Sequence, residues 1–284
     1  MLCDLHTHSL YSDGSLTPEA LVAEAKKKGI IIALTDHNTA SGLAEFMTAA
    51  ESMGVTAVAG TELSTVYKGR ELHLIGLFIE PRFYKQVDEL TDRFMSLKLE
   101  NNLKTVEKLN RAGYRIDVEA VKKRNLTGRF NRAHVAAELL ACGYVSSVEE
   151  AFDSLLREGG EFYSAPPRLD ITGAIRFLRD IGAVPILAHP LQELTEAELR
   201  AVLPELKEAG LIGIETRHSS YGAEAFRVAD RVAADLSLLA SGGSDFHGEV
   251  KPLVRLGDGM WNLAIPEDIY FALLKKRTEL YPSG

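Results

Sequence analysis

The chain has 284 residues, 46% of them hydrophobic and 25% charged, which suits a folded protein with a sizeable core and excludes a disordered or fibrous one. A formal charge of −8 argues against long duplex nucleic acid as a partner, because the surface as a whole repels polyanions, while a small anion gathered by local cations remains compatible with it. No apolar run approaches the about 20 residues that cross a bilayer, and the start lacks the pattern of a secretory signal, so no membrane association and a cytoplasmic location are expected. Cys3 and Cys142 are far apart and fit no paired scaffold, so both read as reduced packing residues with no disulfide.

The first stretch of interest is Asp4-Leu5-His6-Thr7-His8, where two histidines at i and i+2 leave a strand on one face and can meet one ion. Alone this is a weak signal, since such pairs also occur on exposed strands. Asp13 follows within a tight turn. Thr17 and Pro18 open a helix that ends at Lys26 to Lys28 and Gly29. The run 30–35 reads as a buried parallel strand and leads directly into Asp36-His37-Asn38. A second helix is predicted over 42–52. The next strand, 55–59, ends in Gly60-Thr61-Glu62, and another over 71–79 contains His73 behind the turn-like Tyr67-Lys68-Gly69-Arg70.

From Phe83 to Gly160 the pattern changes to helices near 84–111, 118–124, 132–142 and 147–157. This predicts an inserted helical subdomain, 83–160, within a barrel domain formed by 1–82 and 161–284. Alternation then resumes. Asp170 caps a helix to Ile181, the strand 183–188 ends in His189-Pro190, and helix 195–209 leads to strand 211–214 and Glu215. Helix 223–234 precedes strand 236–240, which runs into Ser241-Gly242-Gly243-Ser244-Asp245-Phe246-His247, and a last helix starts at Pro266.

About seven strands alternating with helices predict an α/β fold, either a parallel barrel or an open sheet. His6, His8, His37, Glu62, His189, Glu215, Asp245 and His247 all fall at or just past predicted strand ends, where such folds carry their active sites. Histidine and carboxylate with almost no cysteine is a ligand set for zinc, manganese or iron, and bridging carboxylates imply several ions.

The ordered series Asp-x-His-x-His, Thr-Asp-His, Thr-Glu, a further His, Ala-His-Pro and Ser-Asp-x-His, spanning Asp4 to His247, resembles the PHP superfamily, named for polymerase and histidinol phosphatase. The resemblance implies a distorted seven-stranded (β/α) barrel holding three divalent ions, manganese, iron or zinc. By the resemblance, one ion takes His6, His8, Glu62 and Asp245. A second shares Glu62 and adds His73 and His134, and the third takes Asp13, His37 and His247. His73, inside an apolar strand, would otherwise read as a core histidine, and His134 lies on a predicted helix of the insertion. Asp36 reads as a residue that orients a ligand. His189 is expected to serve substrate or proton transfer, with a structural strand-end role as the alternative, and His218 is a weaker candidate of the same kind. Arg129, Arg132, Arg217 and Lys68 are the candidates for phosphate, Arg132 and Arg217 foremost, against the plain alternative of a solvated charge.

The chemistry implied is phosphoester hydrolysis, with clustered cations supplying hydroxide at neutral pH and His189 as the acid for the leaving group. Length and layout resemble the small stand-alone members that act on nucleotide 3′,5′-bisphosphates and the ends of short RNAs, so a small phosphorylated substrate and a phosphate product are expected. The loop Leu191-Gln192-Glu193, the segment Thr216 to Tyr221 and Asn38 depart from that group at substrate-facing positions. The alternatives are a cyclic phosphodiesterase that then releases phosphate, a histidinol-phosphate phosphatase, and a binding module without catalysis. The filled set of nine ligand positions argues against the last. No motif specifies an oligomeric state.

Overall fold

Strand β1 (Leu2–Asp4) pairs in parallel with β2 (Ile30–Leu34), which pairs in parallel with β3 (Ala57–Tyr67). Helices α1 (Pro18–Lys28) and α2 (Leu43–Met53) make the crossovers. The computed structural model describes residues 1–124, 130–157, 159–164 and 169–282. Thr17 caps α1 by accepting from the Ala20 N–H, and Gly29 ends it in the left-handed region, as the sequence predicts.

The predicted break after Glu62 does not occur. β3 runs on to Tyr67 and turns straight back into β4 (Arg70–Leu77), antiparallel, with register from Gly60↔Leu77 to Tyr67↔Arg70. The reversal follows from Lys68 and Gly69, both at positive φ (48° and 86°), the geometry of a two-residue hairpin whose twist matches the flanking strands. β4 pairs antiparallel with β6 (Val184–Leu187), and the parallel order resumes through β7 (Gly213–His218) and β8 (Leu239–Gly243). β5 (Leu169–Asp170) pairs with β3 outside this path. The ring closes where Leu5 N–H donates to Gly242 O, Asp245 N–H to His6 O and His8 N–H to Phe246 O, at 3.1, 2.9 and 2.9 Å. The result is the expected distorted seven-stranded barrel, with one strand reversed.

Alternation divides each strand between two cores. Outward residues such as Ile30, Ile32, Leu34, Leu63, Leu74 and Ile214 pack under helices α7 (Ile171–Asp180), α9 (Glu196–Ala209) and α10 (Ala223–Asp235), as well as α1 and α2. Inward residues Cys3, Leu5, Ile31, Ala33, Val58, Ile75, Leu77 and Ile186 fill the barrel floor, plugged by Leu263, Ile265 and Leu273. Leu273 belongs to α11 (Glu267–Leu280). Along β3 and β4 the same inner face that is apolar at Val58, Ile75 and Leu77 becomes polar at Glu62 and His73. The barrel therefore has a dry floor and a polar mouth.

Helices α3 (Tyr84–Arg111), α4 (Val118–Lys122), α5 (Arg132–Ala141) and α6 (Val148–Asp153) have a hydrophobic cluster of their own, including Val106, Leu109, Val135, Leu139 and Leu156. A short α8 (Pro190–Glu193) follows β6. Cys3 is buried as expected, but Cys142 is exposed just past the end of α5, so it is a surface thiol rather than a packing residue. No helix among the described residues is long and apolar enough to cross a membrane.

Closure depends on a close approach at Gly243, where an added Cβ would lie 2.2 Å from His6 Cβ and 2.5 Å from His6 N. Gly243→Ala is expected to destabilise the metal-free protein by about 3 kcal/mol, the upper end of overpacking costs, read by urea unfolding. A loss under about 1 kcal/mol would show that β1 and β8 separate freely and that the seam is not a constraint.

Candidate metal centre

The mouth gathers residues from the ends and inner faces of the barrel strands. The chain beyond β1 brings His6 and His8, the end of β2 brings His37 through a bridge to Glu62, β4 brings His73, and the exits of β6 and β8 bring His189, Asp245 and His247. Three of these exits are strained: Asn38, His189 and Asp245 all have positive φ (53°, 27° and 57°), the kind of backbone cost that persists where a site over-determines it.

Glu62 is fully buried at the centre. Its Oε1 lies 2.8 Å from His73 Nδ1 and 3.0 Å from His189 Nε2. Its Oε2 lies 3.1 Å from His6 Nε2, 3.1 Å from His37 Nδ1 and 3.3 Å from His8 Nε2, yet makes no aligned hydrogen bond. Two oxygens thus divide five imidazoles into two sets, the arrangement of a bridging carboxylate. Asp245 Oδ1 faces His8 Nε2, His247 Nδ1 and His6 Nε2 at 3.3, 3.4 and 3.7 Å. Asp13 Oδ1 faces His247 Nε2 at 3.2 Å, and Asp13 also stands within reach of His8 and His37.

The donor set fits divalent ions. His6 Nε2 and His8 Nε2 are 3.1 Å apart and share at most one proton between them in their neutral forms. Donors bound at about 2.1 Å around one ion stand roughly 3.0–3.4 Å from each other, the spacing seen here. Asp13 Oδ1, His37 Nδ1 and Glu62 Oε2 are buried with no hydrogen-bond partner, and all belong to this cluster. Such unsatisfied atoms are costly unless a cation completes them.

Without a cation the charges settle among themselves. Burial pushes the Glu62 carboxyl up, but His37, His6 and His73 outweigh it and hold it well below its ordinary range. Burial likewise opposes Asp13 and Asp245, which His37 and His247, and Lys251 and His247, hold down. Burial lowers the His8 and His73 rings, yet the carboxylates around them prevail, raising His8 to about 9 and His73 to about 10. For His37 burial wins and the ring is pushed down to about 3.

Buried carboxylates hold the rings in place. Asp36 accepts from Ser9 N–H at 2.7 Å, Ser9 Oγ at 2.6 Å and Ser12 Oγ at 2.6 Å, and Ser12 Oγ lies 3.4 Å from His8 Nδ1, which fits its expected orienting role. Glu215, placed at a strand end by the sequence but given no role there, is arranged in the same way: Oε1 meets His6 Nδ1 at 3.1 Å and Oε2 accepts from His189 N–H at 2.6 Å. Its sequence signal was its place at the end of an apolar run, matching Glu62. Lys251, whose Nζ donates to Asp245 Oδ2 at 2.7 Å, carried no sequence signal. His218 is buried beside His189, with Nε2 3.5 Å from Asp245 Oδ2 and Nδ1 accepting from Ser220 N–H at 3.2 Å.

Some expected residues stand elsewhere. His134 does not join Glu62 and His73. Its Nδ1 accepts from the Asn131 N–H at 3.0 Å, closing the first turn of α5, and the place beside Glu62 and His73 is held by His189. Arg217 points away from the centre, because a β-bulge between Glu215 and Arg217 turns Glu215 and His218 inward and leaves Arg217 outside. There it forms a fork onto Asp230 at 2.7 and 2.9 Å, with its guanidinium over Phe226. Lys68 sits exposed at the hairpin tip, bonded to Tyr67 Oη and Glu205. Arg132 does reach the mouth, its guanidinium over the rings of Phe152 and Tyr163. Arg129 lies outside the described residues.

Two recesses open on the centre. One, of about 220 Å³, is lined by Asp13, His37, His73 and Arg132 together with Phe94, Phe152 and Tyr163. The other, of about 740 Å³, runs from His73 and His189 past Arg132 to Lys68 and Arg70.

Residues 4–172 match the PHP domain family. The chain is 33% identical to a 5′-3′ exoribonuclease of Haemophilus influenzae over 86% of its own length and 89% of the relative's. It is 32% identical to phosphoribosyl 1,2-cyclic phosphate 1,2-diphosphodiesterase of Eggerthella lenta, over 90% of this chain and 98% of that one. It is 28% identical to 3′,5′-nucleoside bisphosphate phosphatase of Chromobacterium violaceum, over 86% of each. Among solved structures, one from Bifidobacterium adolescentis described as a metal-dependent phosphoesterase superposes with a TM-score of 0.85, at 27% identity over 96% of both chains. With these matches and a divalent-ion ligand set at its mouth, the chain belongs to the PHP family and is a metal-dependent phosphoesterase.

Proposed function

We propose that this enzyme hydrolyses small nucleotide phosphates, 3′,5′-bisphosphates foremost, over three divalent ions. The observation that supports the substrate reading is the pair of recesses that share His73 and Arg132. One offers Phe94, Phe152 and Tyr163 for a flat base, and the other runs to Lys68 and Arg70, whose pairs with Glu205 and Glu198 a second anionic group would replace. The names of the Haemophilus and Chromobacterium relatives agree with a nucleotide substrate. The Eggerthella relative, matched over 98% of its length, favours opening of a cyclic phosphate as the second reading.

The ion assignment keeps eight of the expected ligands and replaces one. His6, His8, Glu62 and Asp245 would hold the first ion, Glu62 with His73 and His189, both on its Oε1, the second, and Asp13, His37 and His247 the third. Bound divalent ions supply hydroxide at neutral pH and offset the charge of the phosphoryl oxygens. Arg132, its guanidinium over two rings and Nη1 donating to Leu156 O at 3.3 Å, brings a positive charge to both recesses. His218, whose Nδ1 accepts from Ser220 N–H, keeps its proton on Nε2 at the Asp245 edge of the mouth. With His189 engaged on Glu62, His218 and Lys251 are the donors at that edge where a leaving oxygen needs one.

With manganese, kcat/KM measured by phosphate release is expected to favour nucleotide 3′,5′-bisphosphates at least tenfold (~1.4 kcal/mol) over 5′-mononucleotides, cyclic phosphates and histidinol phosphate. A clear preference for cyclic phosphates overturns the first reading in favour of the second. His189→Ala is expected to lose one metal equivalent by elemental analysis, whereas His134→Gln keeps the full count; the opposite result restores His134 as the ligand.

Metal removal has a signed pH dependence. In the metal-free protein His8 and His73, raised to about 9 and about 10, contribute stability that is full below their ordinary value of 6.5 and is lost as pH rises through those values. Ions displace the same protons, so their affinity rises with pH over that window. An ion held at 100 times its dissociation constant adds about 2.7 kcal/mol, and at about 2–4 °C per kcal/mol chelation lowers Tm by at least about 5 °C. The drop on chelation is expected to be larger at pH 8.5 than at pH 6.5. A drop that shrinks with pH would show that the two rings are unprotonated before ions bind.

A further inference from the structure

We infer that Asn131, from the helical segment, sets the orientation of Asp13 and so completes the third ion's site. The inference rests on the three-ion reading. Asn131 is the N-cap of α5, and its side chain works at both ends: Oδ1 accepts from His134 N–H at 3.2 Å, while Nδ2 donates to Asp13 Oδ2 at 3.0 Å. Asp13 is 8% exposed, and its other oxygen, Oδ1, is buried with no hydrogen-bond partner, 3.2 Å from His247 Nε2. An amide donor on one oxygen thus fixes the carboxylate plane and leaves the other oxygen to a cation, the usual work of an outer hydrogen-bond partner on a metal ligand.

The same geometry accounts for His134. Capping boxes ordinarily place Glu or Gln three residues after the cap, reaching back to the cap's N–H. Here buried His134 does this through Nδ1 at 3.0 Å, so Asn131 is held from two sides and its amide has little freedom to turn away from Asp13. A histidine that resembles a ligand by its place in the motif order instead holds the residue that holds a ligand. Because Arg132 is the next residue and lines both recesses, one helix end touches the third ion's ligand and the substrate space together. Ion and substrate binding are then linked, each favouring the docked position of that helix end.

The test uses Asn131→Ser in the full chain. Serine preserves the helix cap but is too short to bridge to Asp13. After equilibration with manganese, the parent is expected to hold three ions. Asn131→Ser is expected to hold two tightly and the third roughly tenfold or more weakly, by manganese titration followed by electron paramagnetic resonance. The Tm of the metal-free variant is expected to match the parent within about 2 °C, on the order of one kcal/mol, which separates a positioning role from a folding one. His134→Gln, which rebuilds the cap in its ordinary form, is expected to keep the third ion. Asp13→Ala is the reference. If it loses the third ion while Asn131→Ser binds it as tightly as the parent, the inference about Asn131 is overturned and the three-ion reading stands. If Asp13→Ala holds as many ions as the parent, the three-ion reading fails, and the inference with it.

Discussion

The structure is arranged around one buried carboxylate. Glu62 is out of contact with solvent and meets five imidazole rings, an arrangement that an apolar barrel would not tolerate for a lone charge. Everything near it reads as a means of offsetting that cost. His6, His8 and His73 carry compensating charge when no cation is bound, and Asp36, through Ser12, and Glu215 hold the His8 and His6 rings. The apolar floor below, from Leu5 to Ile186, supplies the rigidity, since a packed interior does not yield to small displacements above it.

The barrel and the helical segment make different contributions. The proposed ion ligands come from strand ends, from the inner faces of β3 and β4 and from the loop after β1, so the reactive chemistry is a property of the barrel. Phe94, Asn131, Arg132 and Phe152, which shape the recess above, come from α3, α6 and the start of α5. A change of substrate within this architecture therefore calls for changes in the helices, with the ring of ligands left as it is.

Much of this was legible in the sequence because metal ligands at strand ends leave a periodic trace: an apolar run followed at once by His, Asp or Glu. The helices were equally plain, and α3 occupies the predicted span 84–111. The rest depended on pairing in space. Gly60-Thr61-Glu62 reads as a strand end, but its partner β4 carries the strand through to Tyr67. Lys68-Gly69 signals a turn, yet only the positive φ of both residues shows that it reverses the chain. The resemblance assigned His134 to the second ion and left His189 to substrate or proton transfer. Side-chain geometry separates them, since His189 lies on Glu62 and His134 is spent on its own helix cap. Arg217 was a phosphate candidate for its guanidinium, past a strand read as ending at 214, whereas β7 runs on to His218 with a bulge that turns that side chain out.

That irregularity reaches beyond this one chain. The bulge in β7 acts as a phase shift: before it Glu215 faces inward, and after it His218 does, with Arg217 excluded in between. A strand of this kind without the bulge would turn the residue after next from Glu215 into the mouth. Position 217 is therefore a surface residue or a substrate residue according to a single step of backbone phase, and two chains aligned there without a gap can still differ in the charge they show their substrates.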